Sequence, residues 1–252
     1  MAAAFGVDIG GSGVKGAPVD LDSGDFSEER CRLETPQPAT PEAVAKTVGQ
    51  VLAHFGRRVD GLAVGVTVPA IVQHGITRSA ANIDPKWIDA PAVEILNQAL
   101  RRPVTLLNDA DAAGLAEVYY GAAKGQDGLV IVATLGTGIG SALIYRGVLV
   151  PNTELGHLEL DGFDAEKRAS AGAKTNEDLS WAAFSERLQR YFSHVESLFS
   201  PDLFVVGGGI SRNASKFLPR LKLRTPIVPA QLRNRAGIVG AALAAANASR
   251  QP

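Results

Sequence analysis

Two glycine-rich turns place the strongest limit on how this chain can fold. Gly10-Gly11-Ser12-Gly13 follows the apolar run Phe5 to Asp8, and Gly136-Thr137-Gly138 follows Leu129 to Leu135. Beyond each turn the chain resumes as a second extended segment, Val14 to Leu21 and Ser141 to Tyr145. A glycine turn between two strands needs no explanation beyond hairpin geometry. Two of them with hydroxyls alongside (Ser12; Thr134 and Thr137) fit a second use, in which backbone N–H groups and hydroxyls cradle phosphate. The repetition suggests two similar half-molecules, each presenting a loop to a shared cleft. The boundary is expected near Leu107, giving an N-terminal lobe over 1–107 and a C-terminal lobe over 108–252, with the last helix free to pack back on the first lobe.

Around these turns, strand-like and helical patterns alternate, which favours an α/β class. Gly61 to Val68, Val104 to Leu107 and Leu203 to Val206 read as strands. Pro41 to Phe55, behind Thr40 as N-cap, reads as helix, as do Ala112 to Tyr120, Asp178 to Phe199 and the small-residue run Ala236 to Ala246.

Several function classes fall away. Gly11 to Gly16 spells G-x-G-x-x-G, but Pro18 stands where the helix of a dinucleotide-binding unit would run, so a hairpin fits better. No Gly-Lys pair exists for a Walker loop, and there is no G-x-S-x-G nucleophile elbow. No apolar stretch approaches the roughly 20 residues that span a bilayer, and the N-terminus lacks a signal-peptide pattern. The single cysteine, Cys31, suits a reducing cytoplasm.

The polar residues supply candidates for chemistry. Asp8, at the mouth of the first loop, suits a hydrated Mg²⁺ carried by a phosphate donor, because that ion takes few carboxylates and keeps its waters. Lys15 either neutralises phosphate or faces solvent from a strand. Asn108-Asp109 stands where a strand gives way to a helix, and Asp109 reads either as a helix N-cap or as a general base. Glu154 and His157 are spaced to share one side of a turn and suit the hydrogen bonding of hydroxyls better than a metal. From Leu203 onward there is no acid, while Arg212, Lys216, Arg220, Lys222, Arg224, Arg233, Arg235 and Arg250 are all basic, although the whole chain carries −1. Such a segment is either a polyanion track or a solvated face.

Taken together, Asp8 to Lys15, Leu107-Asn108-Asp109-Ala110, Leu135 to Gly140, Glu154-Leu155-Gly156-His157 and Gly207-Gly208-Gly209-Ile210-Ser211 resemble the ROK family of sugar kinases over nearly the whole chain. The resemblance implies a two-lobed actin-like (ribonuclease H-like) ATPase fold. It also implies Asp109 as base, Asn108, Glu154 and His157 around the sugar, and Gly208 and Gly209 beside the donor. ROK proteins follow Glu-x-Gly-His with a cysteine-rich zinc site; no cysteine follows Cys31, so zinc is not expected. Glu166 stands in the stretch just after that missing site and is implied as a second sugar carboxylate. Only seven residues precede Asp8, so the DNA-binding domain of ROK repressors, and with it a nucleic-acid partner, is not expected. Asn82 to Trp87 and Leu221 to Asn234 resemble the actinobacterial polyphosphate glucokinases within the family. They implicate Asn82 at the sugar and make Lys222, Arg224, Arg233 and Arg235 a track for polyphosphate. The expectation is a cytoplasmic glucokinase, a homodimer by family, that moves phosphoryl from polyphosphate or ATP to the C6 hydroxyl as the lobes close. An ATP-dependent kinase for mannose or N-acetylmannosamine, or a non-catalytic sugar sensor, are the competing readings.

Overall fold

The computed structural model describes residues 2–249, so Arg250 of the basic segment lies outside it. The chain divides into two compact units: one runs up to Ala112 and resumes at Arg235, and the other is Ala113–Asn234. The division falls slightly beyond Leu107, so Asn108 and Asp109 belong to the first unit, as does the last helix.

The first unit contains β1 (Ala3–Gly10), β2 (Gly13–Asp20), β3 (Asp25–Phe26), β4 (Cys31–Leu33), α1 (Pro41–Phe55), β5 (Ala63–Val68), β6 (Val72–Gln73), β7 (Ile76–Thr77), α2 (Ala92–Leu100) and β8 (Val104–Asn108). Its main sheet runs β3-β2-β1-β5-β8, with β4 also on β2; β1 and β2 are antiparallel, while β1, β5 and β8 are parallel. Strand alternation assigns the two faces. Phe5, Val7 and Ile9 of β1 and Val64, Val66 and Val68 of β5 share a core with Val44, Val48 and Val51 of α1 and Leu96 of α2. Gly6, Asp8, Gly65 and Thr67, the residues between them, point to the opposite face.

The second unit takes up α3 (Asp109–Tyr120) part-way and continues with β9 (Leu129–Leu135), β10 (Ile139–Tyr145), β11 (Val148–Val150), β12 (Glu159–Leu160), β13 (Phe163–Asp164), α4 (Glu166–Ala169), α5 (Ala171–Asn176), α6 (Trp181–Phe199), β14 (Leu203–Gly207) and β15 (Ile227–Pro229). Its sheet runs β11-β10-β9-β14-β15, again an antiparallel meander followed by parallel strands. The two sheets thus repeat one topology, and in each a glycine turn joins the first two strands. This duplication underlies the actin-like architecture. Phe184, Leu188, Tyr191, Phe192 and Val195 of α6 pack with Ile131 and Ala133 of β9 and with Phe204 and Val206 of β14. Helix α6 begins at Trp181, later than Asp178, because Asp178 sits at φ 48° and the Ser180 hydroxyl accepts the Ala183 N–H as cap.

The chain returns to the first unit as α7 (Ala236–Ala248), whose buried residues Ile238, Val239, Ala241, Ala242, Leu243, Ala245 and Ala246 leave it almost no polar side. It lies on the face of β1 and β5 opposite α1. The approach is close: a Cβ on Gly6 would stand 1.9 Å from the Ile238 carbonyl oxygen, and one on Gly65 1.8 Å from that of Ala241.

Candidate active site

In the first unit the decisive local event is the start of α3. Asn108 is buried, and its Oδ1 accepts the N–H groups of Ala110 at 2.8 Å and Asp111 at 3.2 Å, which is N-cap geometry. Its Nδ2 donates to the Ala70 carbonyl at 3.2 Å, so one Nδ2 hydrogen is left for anything else. The helix therefore starts at Asp109 and not at Ala112, and Asp109 is a first-turn residue. Its Oδ1 accepts the Ala110 N–H at 2.9 Å, and the helix N-terminus favours its negative charge. Capping, one of the two readings of Asp109, belongs to its neighbour. What Asp109 offers is a half-buried carboxylate able to accept a proton.

The first glycine turn closes with Gly10 opposite Gly13. The Thr35 hydroxyl donates to the Gly10 carbonyl at 2.5 Å, and Arg32 Nη2 donates to the Ser12 carbonyl at 3.0 Å. The backbone carbonyl of Asn82 would lie 2.9 Å from a Cβ on Gly11, so Asn82 sits against this turn at a φ of 59°. Asp8 accepts from the Thr67 hydroxyl at 3.0 Å and pairs with Lys15 Nζ at 3.4 Å, directly across the β1–β2 ladder. A Cβ on Gly237 would be 3.0 Å from Asp8 Oδ1, so the carboxylate also faces the N-terminal end of α7. Thr67 and Arg32 escaped sequence reasoning. Thr67 differs from no other strand threonine until β5 is known to lie beside β1.

In the second unit the other glycine turn is held by Gly136 N–H to the Gly138 carbonyl at 3.0 Å and by Gly172 N–H to the Gly136 carbonyl at 2.9 Å. Thr134 stands opposite Gly140, one pair before the ladder ends at Leu135 and Ile139, and Thr137 is exposed in the turn. Gly208 and Gly209 follow β14, the strand beside β9. Next to the turn, Glu166 Oε2 accepts the Ile139 N–H at 3.0 Å, which distinguishes Glu166 from a solvated helix-surface carboxylate.

Glu154 precedes a 3-10 turn over Leu155–His157. Ser141 clamps it from both sides, donating to the Thr153 carbonyl at 2.6 Å and accepting the Leu155 N–H at 2.9 Å. His157 Nδ1 meets Asp164 Oδ2 at 3.0 Å. Burial pushes the Glu154 carboxyl above its usual range and Glu166 adds to this, while His157 opposes it. The hydrogen bond to Asp164 raises His157 above 6.5, burial opposes it, and Glu166 and Glu154 help. His157, Asp164 and Glu166 each bring one ligand-type atom within 4.8 Å of the others, a set of two carboxylates and one imidazole with no thiolate. Chemically, the group offers both donors and acceptors to a polyhydroxyl ligand.

Asp164 is the residue the sequence concealed, and it governs the state of His157. Because the folded imidazole has a raised pKa, the pairing contributes stability fully below pH 6.5 and loses it as pH rises through the folded pKa. Asp164→Asn is expected to lower the His157 pKa, read from the imidazole proton shifts in an NMR titration. An unchanged titration would remove Asp164 from this role.

The basic segment is less bare than its sequence. Arg224 Nε pairs with Glu196 at 3.6 Å, and Arg235 pairs with Asp25. Buried Glu196 accepts the Thr225 N–H at 2.7 Å, and buried Glu117 accepts those of Gln231 at 3.1 Å and Leu232 at 2.7 Å. Two interior carboxylates thus fix the stretch carrying Arg224 and Arg233. Lys222 is held by its backbone to the Gln189 side chain, at 2.6 and 2.9 Å, and its own side chain is exposed.

Comparison with known proteins bears on this geometry. The model of the ROK family matches residues 4–175. The chain belongs to the ROK family. Among ROK proteins it is 52% identical to the polyphosphate glucokinase of Mycobacterium tuberculosis strain CDC 1551 over 241 residues, 95% of this chain and 90% of that one. The solved inorganic polyphosphate/ATP-glucomannokinase of Arthrobacter sp. strain KM matches with a TM-score of 0.93 at 58% identity, covering 98% of this chain and all of that one (100%). A ROK family glucokinase from Streptomyces griseus, solved with glucose and AMPPNP, matches with a TM-score of 0.82 at 25% identity over 97% and 99% of the two chains. Among the described residues of this ROK protein, no helix is long and apolar enough to cross a membrane.

Proposed function

We propose that this ROK protein is a glucose-phosphorylating kinase that makes glucose 6-phosphate with inorganic polyphosphate or ATP as donor. The observation that carries the chemistry is the start of α3, where Asn108 Oδ1 caps the helix and Asp109, half-buried in the first turn, is the carboxylate assigned here as base. In this reading Asp109 takes the proton of the C6 hydroxyl as phosphoryl transfer proceeds. Glu154, His157 and Glu166, in the second unit, meet the other sugar hydroxyls, and Asn82 and Asn108 contribute from the first. Glu154, less readily ionised than an exposed carboxyl, and His157, held towards imidazolium by Asp164, supply hydrogen-bond donors as well as acceptors.

The donor phosphates lie on the two glycine turns. Asp8, Gly10, Gly11, Ser12, Gly13 and Lys15 serve in the first unit, and Thr134, Gly136, Thr137, Gly138, Gly208 and Gly209 in the second. Mg²⁺ travels with the donor and neutralises phosphate charge. Asp8 fits such an ion through water, since it is a single carboxylate already engaged by Thr67 and Lys15 and so suits an outer contact better than a full cage. With no cysteine after Cys31 to build the family's zinc site, this reading assigns no role to zinc. The family resemblance implies a homodimer, the single cysteine suits a reducing cytoplasm, and Lys222, Arg224, Arg233 and Arg235 are the residues that the resemblance to polyphosphate glucokinases implies for polyphosphate.

The similarity to a glucomannokinase makes mannose the second sugar to test. The assay is a matrix of ATP and polyphosphates of several lengths against glucose, mannose and N-acetylmannosamine, each reaction followed by sugar-phosphate formation. Glucose 6-phosphate is expected from both donor types. Turnover confined to N-acetylmannosamine, or none at all, would overturn the reading.

A further inference from the structure

The donor reading leaves open where the far end of a long phosphate chain lies. The second unit answers with a run of cations that begins beside its own glycine turn. Gly208 sits at φ 81°, and a Cβ there would lie 2.3 Å from the Leu135 carbonyl oxygen, so the Gly208-Gly209 corner is packed against the start of the second glycine turn. The next stretch, Gly209–Lys216, is 3-10 helix with a kink at Asn213, and Leu218–Arg220 is another short 3-10 turn. Arg212, Lys216 and Arg220 recur along it, and Lys222 follows; all four side chains are exposed.

Their electrostatic state separates them from Arg224 and Arg235, though not from Arg233, which also has no ion pair among the described residues. Arg224 and Arg235 are already neutralised by Glu196 and Asp25. Among the described residues, Arg212, Lys216, Arg220 and Lys222 have no ion pair at all. Lys216 Nζ stands 5.3 Å from the ring centre of Trp181, and Lys174 Nζ stands 4.5 Å from the same ring, so the indole brings one further positive charge, that of Lys174, beside Lys216. Arg220 and Lys222 then form one wall of a groove of about 580 Å³ against Ala182, Ser185, Gln189 and Glu186 of α6, Glu186 being the one carboxylate in its lining. Uncompensated cations that lead from the second unit's glycine turn to an open groove match the charge pattern of a linear polyanion.

We infer that Arg212, Lys216 and Arg220, with Lys222 at the end, bind the distal phosphates of a long polyphosphate whose terminal phosphate sits at the glycine turns. The inference rests on the polyphosphate reading above. Nucleoside triphosphates and tripolyphosphate are too short to use the run, so its contribution grows with chain length.

The test is the triple variant R212Q/K216Q/R220Q, assayed with ATP, tripolyphosphate and long-chain polyphosphate, together with direct titration of long-chain polyphosphate onto the protein without sugar. The KM for long chains is expected to rise about tenfold at low ionic strength. The slope of log KM or log Kd against log salt should flatten by about two, at roughly 0.7 per lost phosphate contact. KM values for ATP and tripolyphosphate should move less than about twofold, and R212K/K216R/R220K should restore long-chain use. An unchanged long-chain KM and salt slope would overturn the inference while the donor reading stands, as would equal losses with all three donors. A wild-type protein that turns over ATP but no polyphosphate would remove the donor reading and the inference together.

Discussion

Asp109→Asn is expected to lower kcat by about 10²- to 10⁴-fold with every donor while the dissociation constant for glucose stays within about tenfold. The substitution keeps size and shape and removes the ability to accept a proton. It also spares the fold, because the α3 cap is formed by Asn108 Oδ1, at 2.8 Å from the Ala110 nitrogen, and not by Asp109. A loss confined to kcat, with binding measured by calorimetry, is the mark of an interaction made in the transition state. Wild-type rates in a coupled assay would mean that another group takes the proton. A collapse of glucose affinity would instead make Asp109 a binding residue.

A larger effect on stability is expected at Gly65, in β5 at the floor of the first unit. Gly65→Ala directs a methyl group at the backbone carbonyl of Ala241, 1.8 Å from where the carbon would stand, and neither sheet nor helix can yield a side-chain rotamer to admit it. Helix α7 must lift from β5, at a cost of about 3 kcal/mol or more. The urea midpoint of unfolding should fall accordingly. Gly49→Ala provides the contrast: Gly49 lies inside α1 and its new methyl would find Leu100 Cδ2 at an ordinary 3.5 Å, so a gain of up to about 1 kcal/mol is expected there. If both variants unfold at the wild-type midpoint, α7 does not lie against β5 as described.

The parts legible in the sequence were those written in local periodicity and turn chemistry. The glycine turns showed themselves because each interrupts two apolar runs, and Thr40-Pro41 fixed the start of α1 because capping is a property of adjacent residues. Helix α3 starts three residues before the sequence pattern places it, because Asn and Asp are both good caps and only the strand end at Asn108 decides which of them faces the open N–H groups. Asp164 had no local signature, since its strand, Phe163–Asp164, is two residues long and its meaning comes from the turn that carries His157. Ser141 was invisible for the same reason: its hydroxyl reaches Thr153 and Leu155 across a strand-to-loop gap. The charge of the basic segment is plain in the composition. Which of its cations are already satisfied depends on Glu196 and Asp25, far away in sequence, and no composition argument contains that information.

The return of α7 to the first unit has a consequence for biosynthesis. Strands β1 to β8 leave the ribosome early, but the face formed by Gly6 and Gly65 is covered only when Ala236–Ala248 arrives, after the whole of Ala113–Asn234. The second unit is contiguous and can close on itself in the meantime. The unit begun first is therefore finished last, through contacts of very long sequence separation, which are the slow ones to form. Any nascent chain that stalls before Arg235 holds a bare sheet face in water, the condition in which folding intermediates find one another.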